Sequence, residues 1–491
     1  MSASTAQRAG SALFWKGLQH AGVKAIFFLR LLVLARLLTP DDFGLLAISM
    51  VALGILSQVT DFGLVPALVQ RADVNEPHYH SAWTLGVLRA MAISAVVFLG
   101  APLIAWAFEE PRAELIIRVL ALRPLLEAFA SIKVVDLNRA LRFRALAFLR
   151  LPEALASTVI AIALAPSLGV WALVAGSLAG PAVVLVLSYF LAPYRPRFLL
   201  DRPAAASLIQ FGRWIFTVSI ISVLGTALLR LVIARQLGTV ELGLYYLGAS
   251  LAFLPSDIAS QVVGDVTFPL YSRLQANLAK MRRVFQSVFT GLLALLLPLC
   301  ALLIALAPGL VTHILGPKWE GTVPVIRILA LVNIVGLLGD TVVPLLKGIG
   351  QPSKVAAATG SQTAVLVAVM WFFTGYWGVG GAALAWLPAI AVSQVIIIKY
   401  LYDLLPHPFA GLLKPAGIVV LVSLSGAAIA MKIYEMLPNL FGLIGAAAAS
   451  TAFIGVMLWI FERRLSLGLL DDLAQVFPRL ANRIGYHPGK L

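Results

Sequence analysis

The sequence has little charge, one cysteine and few histidines. Only 12% of its 491 residues are charged, whereas soluble domains carry about 25%. Cys300 alone cannot form an intramolecular disulfide, so a disulfide-stapled fold is excluded. The histidines and the cysteine show no spacing typical of a metal site, and no glycine-rich phosphate loop with its lysine is present. These absences predict a chain without a metal site, a cofactor or an ATP-binding domain.

Apolar residues fill the chain instead. They make up 60% of it, and the mean hydropathy is +0.95. Hydrophobic runs separated by turn signals recur from one end to the other, each with roughly the twenty residues that cross a bilayer. The first residues lack the short apolar core and cleavage site of a signal peptide, so the first run is expected to be retained. We predict an all-α polytopic membrane protein with about fourteen transmembrane helices, at 13–36, 44–69, 81–106, 114–135, 147–165, 170–192, 211–236, 242–266, 284–306, 323–346, 355–374, 379–402, 416–435 and 440–461.

Lysine and arginine are divided unequally between the two sets of loops that these spans define. One set, which includes both chain ends, holds 21 of them, and the other set holds only 2, Arg112 and Lys318. Cytoplasmic loops are enriched in basic residues. The asymmetry therefore predicts that both termini are cytoplasmic. Because basic residues are concentrated in the cytoplasmic loops, membrane topology explains the net charge of +15, and no nucleic-acid partner is expected.

Basic residues also occur inside the predicted spans, where a lysine or arginine at the centre costs roughly 2.5–3.5 kcal/mol. On the first span, four such groups share one helix face within an arc of about 120°: Lys16, His20, Lys24 and Arg30. A stripe of this kind predicts a helix face turned towards a wet cavity rather than towards lipid.

The chain contains an internal repeat. The segment VLARLLTPDDFGLL (33–46) returns as VIARQLGTVELGLY (232–245), without gaps and at an offset of 199 residues; the identical pairs include Gly44 with Gly243. A weaker echo pairs GVWAL (169–173) with GVGGA (378–382). Parallel repeats are typical of transporters that rock around a central site. They predict two six-helix lobes in a pseudo-two-fold repeat (1–200 and 201–403), two extra transmembrane helices (404–461), and a cytoplasmic tail with an amphipathic helix (462–491).

The TPDDFG turn between the first two spans has a structural interpretation and a catalytic one. Thr39 can cap the next helix, Pro40 suits its first position, and the acidic pair Asp41 and Asp42 favours its positive end. Many multi-spanning glycosyltransferases use an acidic pair on their first external loop, but those loops are generally long enough to build a site. The connection here is only about six residues long, which favours capping, and a transporter rather than an enzyme.

The segment LLVLARLLTPDDFGLLAISMVALGILSQVTDFGLVPALVQ (31–70) resembles the opening of bacterial polysaccharide-biosynthesis flippases. These are the O-antigen and exopolysaccharide repeat-unit translocases of the multidrug/oligosaccharidyl-lipid/polysaccharide exporter superfamily. FPLYSRLQ (268–275) and LGPKWEGTVPVIRILAL (315–331) are similar to further segments of that family. The resemblance implies a V-shaped pair of six-helix lobes in the bacterial inner membrane. It also implies a substrate, an oligosaccharide linked by pyrophosphate to undecaprenol, moved from the cytoplasmic to the periplasmic leaflet by alternating access.

With such a substrate, the cations within the spans become candidate ligands of the pyrophosphate, for which arginine offers forked donors and lysine a point charge. The expected set, lining a basic central cavity, is Lys24, Arg30, Lys16, Arg89, Arg230 and Arg213. Coupling to protons or sodium would use Asp61, Asp257, Asp340 or His20. A structural alternative stays open for these cations, because carboxylates within the spans could pair with them in helix packing and Lys16 could snorkel to the interface. That alternative is favoured for Arg118, Arg123 and Lys133, near Glu127.

Partners and rival functions follow from the same resemblance. Besides membrane lipids, the expected partners are a polysaccharide polymerase and chain-length or export proteins. A lipid II flippase and a cation-coupled multidrug exporter share the superfamily architecture and stay open, and a membrane glycosyltransferase or polymerase is a further alternative. The opening segment favours the polysaccharide branch, and a basic stripe is unsuited to cationic drugs.

Overall fold

The protein is described by a computed structural model that covers residues 3–59, 68, 74–140, 142–201, 221–275 and 277–465. Most of these residues are helical, as the sequence predicts. Internal contacts divide the chain into two compact units, Met1–Gly243 and Leu244–Leu491. The predicted amphipathic helix of the tail lies outside the described residues.

The described part of the first unit consists of nine helices and the start of a tenth. They are α1 (Ala3–Leu37), α2 (Pro40–Val59), α3 (Glu76–Ala107), α4 (Ala113–Leu120), α5 (Arg123–Ala128), α6 (Val134–Arg139), α7 (Phe143–Leu168), α8 (Val170–Leu191), α9 (221–237) and α10 (Thr239–Ala252). α7 packs on both α1 and α8. Small residues let α7 and α8 approach closely, since a Cβ at Gly176 would lie 2.7 Å from the carbonyl oxygen of Ser157.

The second unit continues with seven helices in its described part. They are α11 (Leu254–Arg273), α12 (Leu278–Gly309), α13 (Thr322–Gly348), α14 (Pro352–Leu384), α15 (Trp386–Leu404), α16 (Leu413–Met436) and α17 (Leu440–Leu465). A π-helical turn, Leu310–Leu315, follows α12. α16 and α17, the pair beyond the repeated part, pack on α12 through buried small and apolar side chains such as Ala430, Leu443 and Ala446.

Nine helices of the described part are long and apolar enough to cross a membrane. Large apolar side chains stand outwards from them, as Leu99, Leu103 and Trp106 do from α3 with more than half of their surface exposed. Such faces suit lipid rather than water. The spans predicted at 147–165, 323–346 and 440–461 correspond to α7, α13 and α17. The count of fourteen spans stays a prediction.

The span predicted at 114–135 is not one continuous helix. α4, α5 and α6 divide this stretch, and Pro124 in the first turn of α5 cannot donate the hydrogen bond that would extend α4. Its charges are paired, as the packing interpretation predicts, in Arg118–Glu114, Arg123–Glu127 and Lys133–Glu76, at 2.8, 2.9 and 2.6 Å. The prediction of one transmembrane helix at 114–135 is therefore wrong, because three short helices overlap this stretch.

Two glycines mark the same corner in the two copies of the repeat. Gly169 ends α7 with φ 54° and ψ −128°. Gly378 breaks α14 with φ 58° and ψ −144°. A positive φ favours glycine because a side chain would clash with the backbone. Gly169 and Gly378 are the first residues of the two similar segments GVWAL and GVGGA, so these segments share a backbone conformation as well as sequence. The predicted boundary between the spans that end at 374 and begin at 379 falls at Gly378.

Candidate functional site

The first helix carries the predicted basic stripe. α1 is continuous from Ala3 to Leu37, so the helical spacing on which the stripe depends holds throughout. Lys24 and Arg30 are half-buried, and His20 is exposed. Lys16 belongs to the same helix, but its side chain lies outside the described part.

Arg30 is held against α7 by a hydroxyl. Its Nη1 donates to Oγ of Ser157 at 2.6 Å, and its guanidinium lies 5.8 Å from the centroid of the Phe27 ring. Ser157 is buried in the packing of α7. One hydroxyl engages one of the five N–H donors of a guanidinium. The contact therefore orients the arginine and is compatible with a second, anionic partner.

A cavity of about 280 Å³ lies between α2 and α9. One face of α9 lines it with Ser222, Thr226 and Arg230, which are spaced four residues apart. The opposite wall comes from α2, through Met50, Val51 and Gly54. Arg230 is thus a half-buried cation at a cavity with both polar and apolar walls. The sequence pointed to Arg230 but not to the two hydroxyls, although their four-residue spacing was visible.

Among the described residues, the other predicted cations do not line this cavity. Arg89 is half-buried on α3, and neither it nor Lys24 nor Arg30 lines the space between α2 and α9. Arg213 and Asp61 lie outside the described residues.

Two of the carboxylates named for coupling lie on neighbouring helices of the second unit. Asp257 is on α11 and Asp340 is on α13, and these helices pack together. Beside them, Ser256 donates to the side-chain oxygen of Asn333 at 3.2 Å, and the Asn333 amide donates to the carbonyl of Ala252 at 2.6 Å. Across the part of the chain that the structure describes, no cluster of three or more His, Cys, Asp or Glu could hold a metal ion.

The TPDDFG turn caps α2, as predicted. The Asp42 backbone N–H donates to the Thr39 hydroxyl at 3.3 Å. In return, the Asp42 carboxylate accepts from the Thr39 backbone N–H at 2.9 Å and from its hydroxyl at 2.7 Å. The two residues form a reciprocal capping box, so the fold itself accounts for one member of the acidic pair.

Asp41, the other member, belongs to a polar cluster that the sequence did not reveal. Its carboxylate accepts two bonds from Arg112, at 2.7 and 3.0 Å. Arg112 also donates to both oxygens of Glu110, at 2.7 and 2.8 Å. Glu110 in turn accepts from the hydroxyl of Thr239 at 2.8 Å. These residues lie on three different connections of the chain, so no local pattern could join them.

The electrostatics of this cluster keep Glu110 and Arg112 charged. Glu110 is only 8% exposed. Hydrogen bonds from Arg112, and a further bond from Thr239, lower the pKa of Glu110 although burial opposes the shift. Hydrogen bonds to Glu110 and Asp41 raise the pKa of Arg112. Each charged form is therefore stabilised by its neighbours.

The repeated glycines bring the two copies of the turn into backbone contact. A Cβ at Gly44 would lie 2.0 Å from the carbonyl oxygen of Thr239, and one at Gly243 would lie 1.8 Å from that of Pro40. At the offset of 199, Thr239 is the counterpart of Pro40, so the two contacts are equivalent. Both lie within the first unit. Only glycine at both positions allows this approach.

Comparison with known proteins relates the sequence to polysaccharide assembly. The profile of a family described as polysaccharide biosynthesis protein matches residues 33–324. The succinoglycan biosynthesis transport protein ExoT of Rhizobium meliloti is 24% identical over an alignment of 487 positions that covers 95% of this chain and 96% of that protein. The lipopolysaccharide biosynthesis protein WzxC of Escherichia coli is 27% identical over 340 residues, 68% of each chain.

Solved structures share the fold at low sequence identity. The lipid II flippase MurJ, in an inward closed conformation, superimposes with a TM-score of 0.75 at 14% identity, covering 92% of this chain and 99% of that chain. An inward-facing multidrug resistance MATE family transporter of the MOP superfamily gives a TM-score of 0.62 at 14% identity, covering 78% and 94%. At such identities the likeness concerns the fold alone, and it agrees with the predicted fold.

Proposed function

The chain belongs to the polysaccharide biosynthesis protein family, and on this premise we propose that it flips undecaprenyl-pyrophosphate-linked oligosaccharide units from the cytoplasmic to the periplasmic leaflet by alternating access. It is a multi-pass inner-membrane transport protein and not an enzyme. The observation that carries the finer proposal is Arg230, a half-buried cation on α9 that lines a cavity of about 280 Å³. A cation in that setting suits an anionic headgroup.

The three parts of such a substrate need different surroundings. The sugars need hydrogen-bonding groups, which Ser222 and Thr226 offer along the face of α9. The diphosphate needs cations, and Arg230 provides forked donors for it. The polyprenyl tail needs no protein site, because it stays in lipid. The mixed lining of the cavity thus agrees with a headgroup that is both polar and anionic.

The stripe on α1 extends the proposed path for the headgroup. Lys24 and Arg30 lie on one face of a continuous helix, and Ser157 orients the guanidinium of Arg30. We assign them the same role as Arg230, contact with the diphosphate as it crosses the membrane. Lys16, Arg89 and Arg213 are assigned the same role with less structural support.

Ion coupling is a secondary part of the proposal. Asp257 and Asp340 are candidates because they lie on helices that pack together, where one bound proton or sodium ion would relieve the repulsion between two nearby carboxylates. Asp61 and His20 are the other candidates. A polysaccharide polymerase and the chain-length or export proteins would receive the flipped unit.

Complementation tests the proposed function. The double variant Lys24→Ala/Arg30→Ala is expressed in a strain that lacks its own exopolysaccharide flippase, and exported polysaccharide is measured. We expect export to fall at least about tenfold, because two charge-assisted contacts to the diphosphate are lost. The matched control is Lys432→Ala, which removes an exposed lysine paired with Glu435. Normal export by the double variant at normal protein abundance would contradict the role assigned to Lys24 and Arg30.

The nearest rival is a lipid II flippase, because lipid II also carries a diphosphate. The same plasmid is therefore tested in a strain depleted of its lipid II flippase. We expect rescue of polysaccharide export and no rescue of growth in the depleted strain. The reverse result would reassign the substrate.

A further inference from the structure

Arg144, at the start of α7, is an exposed cation in contact with two aromatic rings. Its guanidinium lies 5.6 Å from the centroid of the Trp15 ring on α1 and 5.8 Å from that of the Phe148 ring on α7. In the part of the chain that the structure describes, Arg144 forms no ion pair. Contact with a ring uses the positive charge but none of the five N–H donors of a guanidinium. Those donors are therefore open to an anion from outside the protein.

The apolar side chains that follow Arg144 on α7 share its side of the helix. At 100° per residue, Phe148, Leu155 and Val159 lie with Arg144 within an arc of about 60°. Each of the three is between 49% and 61% exposed, whereas the buried Ser157 lies on the opposite side. We call Arg144, Phe148, Leu155 and Val159 the α7 face. Exposed apolar side chains of this size suit contact with lipid rather than with water.

The α7 face has the dimensions of one lipid leaflet. Val159 follows Phe148 by eleven residues, which corresponds to roughly 16 Å along the helix. The hydrocarbon core of a bilayer is about 30 Å thick, so one leaflet contributes about 15 Å. The distribution of basic residues between the loops predicts that α7 begins on the cytoplasmic side. Arg144 is therefore expected at the level of the inner-leaflet headgroups, where membranes carry anionic lipids.

The second copy of the repeat has the same exposed helix side without these groups. Counted from the corner glycines Gly169 and Gly378, the positions of the α7 face correspond on α14 to Ser353, Ala357, Ala364 and Ala368. All four are exposed as well. The fold thus allows small, uncharged residues on this side of the helix. The cation and the bulky side chains of α7 are not needed to build the helix, which favours a role in binding.

We propose that the α7 face binds an anionic phospholipid of the inner leaflet. The phosphate accepts hydrogen bonds from Arg144, and the ring of Trp15 lies beside the headgroup. One acyl chain lies along Phe148, Leu155 and Val159. Arginine suits this role because its forked donors can bind two phosphate oxygens at once.

A phospholipid fits this site better than the proposed transport substrate does. One guanidinium matches the single charge of a phosphodiester, whereas a diphosphate with about two charges needs further cations. The next arginine of α7, Arg150, lies about 120° away around the helix and pairs with Glu153 at 2.9 Å. The apolar part of the face has the length of an ordinary acyl chain and is far shorter than a polyprenyl chain. The site therefore does not depend on what the protein transports.

Fluorescence quenching by brominated lipids tests the site. In the background Cys300→Ser, Leu155→Cys carries a bimane reporter on the α7 face, and the full-length protein is placed in phosphatidylcholine vesicles. Phosphatidylglycerol or phosphatidylcholine with brominated acyl chains is then mixed in, and quenching at equal mole fractions gives their relative affinity. We expect phosphatidylglycerol to bind roughly tenfold more tightly, because the phosphate of phosphatidylcholine is already neutralised by its own choline.

Substitutions at the cation and away from it separate binding from general contact with the bilayer. Arg144→Gln should bring the preference close to one, and Arg144→Lys should keep part of it because the charge remains. Arg150→Gln is the matched control, since it removes an equal charge from the same helix outside the α7 face, and it should leave the preference unchanged. A reporter at Ala364→Cys, the equivalent position of α14, should show little preference. Equal binding of both lipids at the Leu155→Cys reporter would overturn the proposal, and so would a preference that survives Arg144→Gln in protein that stays monodisperse on gel filtration.

Competition distinguishes the phospholipid from the lipid carrier of the substrate. Unlabelled undecaprenyl diphosphate or unlabelled phosphatidylglycerol is added against brominated phosphatidylglycerol. We expect the two to compete at comparable mole fractions. Competition by undecaprenyl diphosphate at a much lower mole fraction would show that the α7 face receives the substrate carrier, and the phospholipid assignment would then be wrong. Because none of these measurements uses transport, a failed complementation would remove the proposed function and leave this site standing.

Discussion

Glu110 is charged although burial alone would favour its neutral form, and its partners explain why. It is buried, yet bonds from Arg112 and Thr239 favour its carboxylate form. Arg30 is half-buried, and its contacts include a serine hydroxyl. For Arg30 we propose the substrate as a further partner.

The lowered pKa of Glu110 gives a prediction about pH. A carboxyl group with a lowered pKa in the folded state adds stability above its unfolded pKa, and this stability is lost as pH falls through the folded pKa. We expect Glu110→Gln to lower the melting temperature at neutral pH. The difference from the parent should shrink as pH falls below the ordinary glutamate value of 4.5. Melting of the detergent-purified protein checks this, with Glu114→Gln as the control, and a difference that stays constant with pH would contradict it.

Arg30 can be tested for its charge and for its packing separately. Arg30→Lys keeps the charge, whereas Arg30→Met keeps much of the volume without it. If the charge serves the substrate, export should be much higher in Arg30→Lys than in Arg30→Met. Ser157→Ala removes only the orienting bond, which is worth about 1 kcal/mol, and should lower export less than Arg30→Met does. Equal loss in all three variants, with parallel losses of melting temperature, would show that Arg30 has a structural role only.

The sequence predicts where the long helices lie, but it predicts only some of the points at which a helix is interrupted. Long apolar runs fixed α7, α13 and α17, because a run of about twenty residues has few alternatives in a membrane. Pro124 is a signal for the division after α4, but the predicted span runs through it. The polar cluster of Asp41, Glu110, Arg112 and Thr239 could not be predicted, since these residues come together only in the folded chain. Gly44 and Gly243 were the one available signal, as identities in the repeat.

The repeat glycines at the two helix corners carry an element-scale prediction. Gly169→Ala and Gly378→Ala each force a side chain to adopt a positive φ, which costs about 1–2 kcal/mol. We expect both variants to melt at lower temperature than the parent. Gly360→Ala is the matched control, because Gly360 is helical with open space around it and alanine there favours the helix by up to about 1 kcal/mol. If the corner variants melt like the control, the corners are not strained in the way that their dihedral angles indicate.

At the scale of the whole chain, the repeat and the contact units divide the molecule at different places. The second copy of the repeat includes α9, whereas the first contact unit ends at Gly243. The backbone contacts of Gly44 and Gly243, together with the hydrogen bond from Thr239 to Glu110, explain this difference, because they tie the start of the second copy to the first unit.

At this same scale, the proposed direction of transport is the one that the membrane potential favours for a diphosphate. A diphosphate with about two negative charges that leaves an inside-negative cell gains roughly 2.3 kcal/mol per charge for each 100 mV. The membrane potential alone can therefore bias export, without a phosphate-binding loop or an ATPase domain. We expect net export in membrane vesicles to fall when valinomycin and potassium remove the potential, and to persist when nigericin removes the proton gradient only. Sensitivity to nigericin, and to loss of Asp257 or Asp340, would instead assign the driving force to protons. Net export that continues at full rate without either gradient would show that the substrate moves down its own concentration gradient, because the polymerase consumes it on the far side.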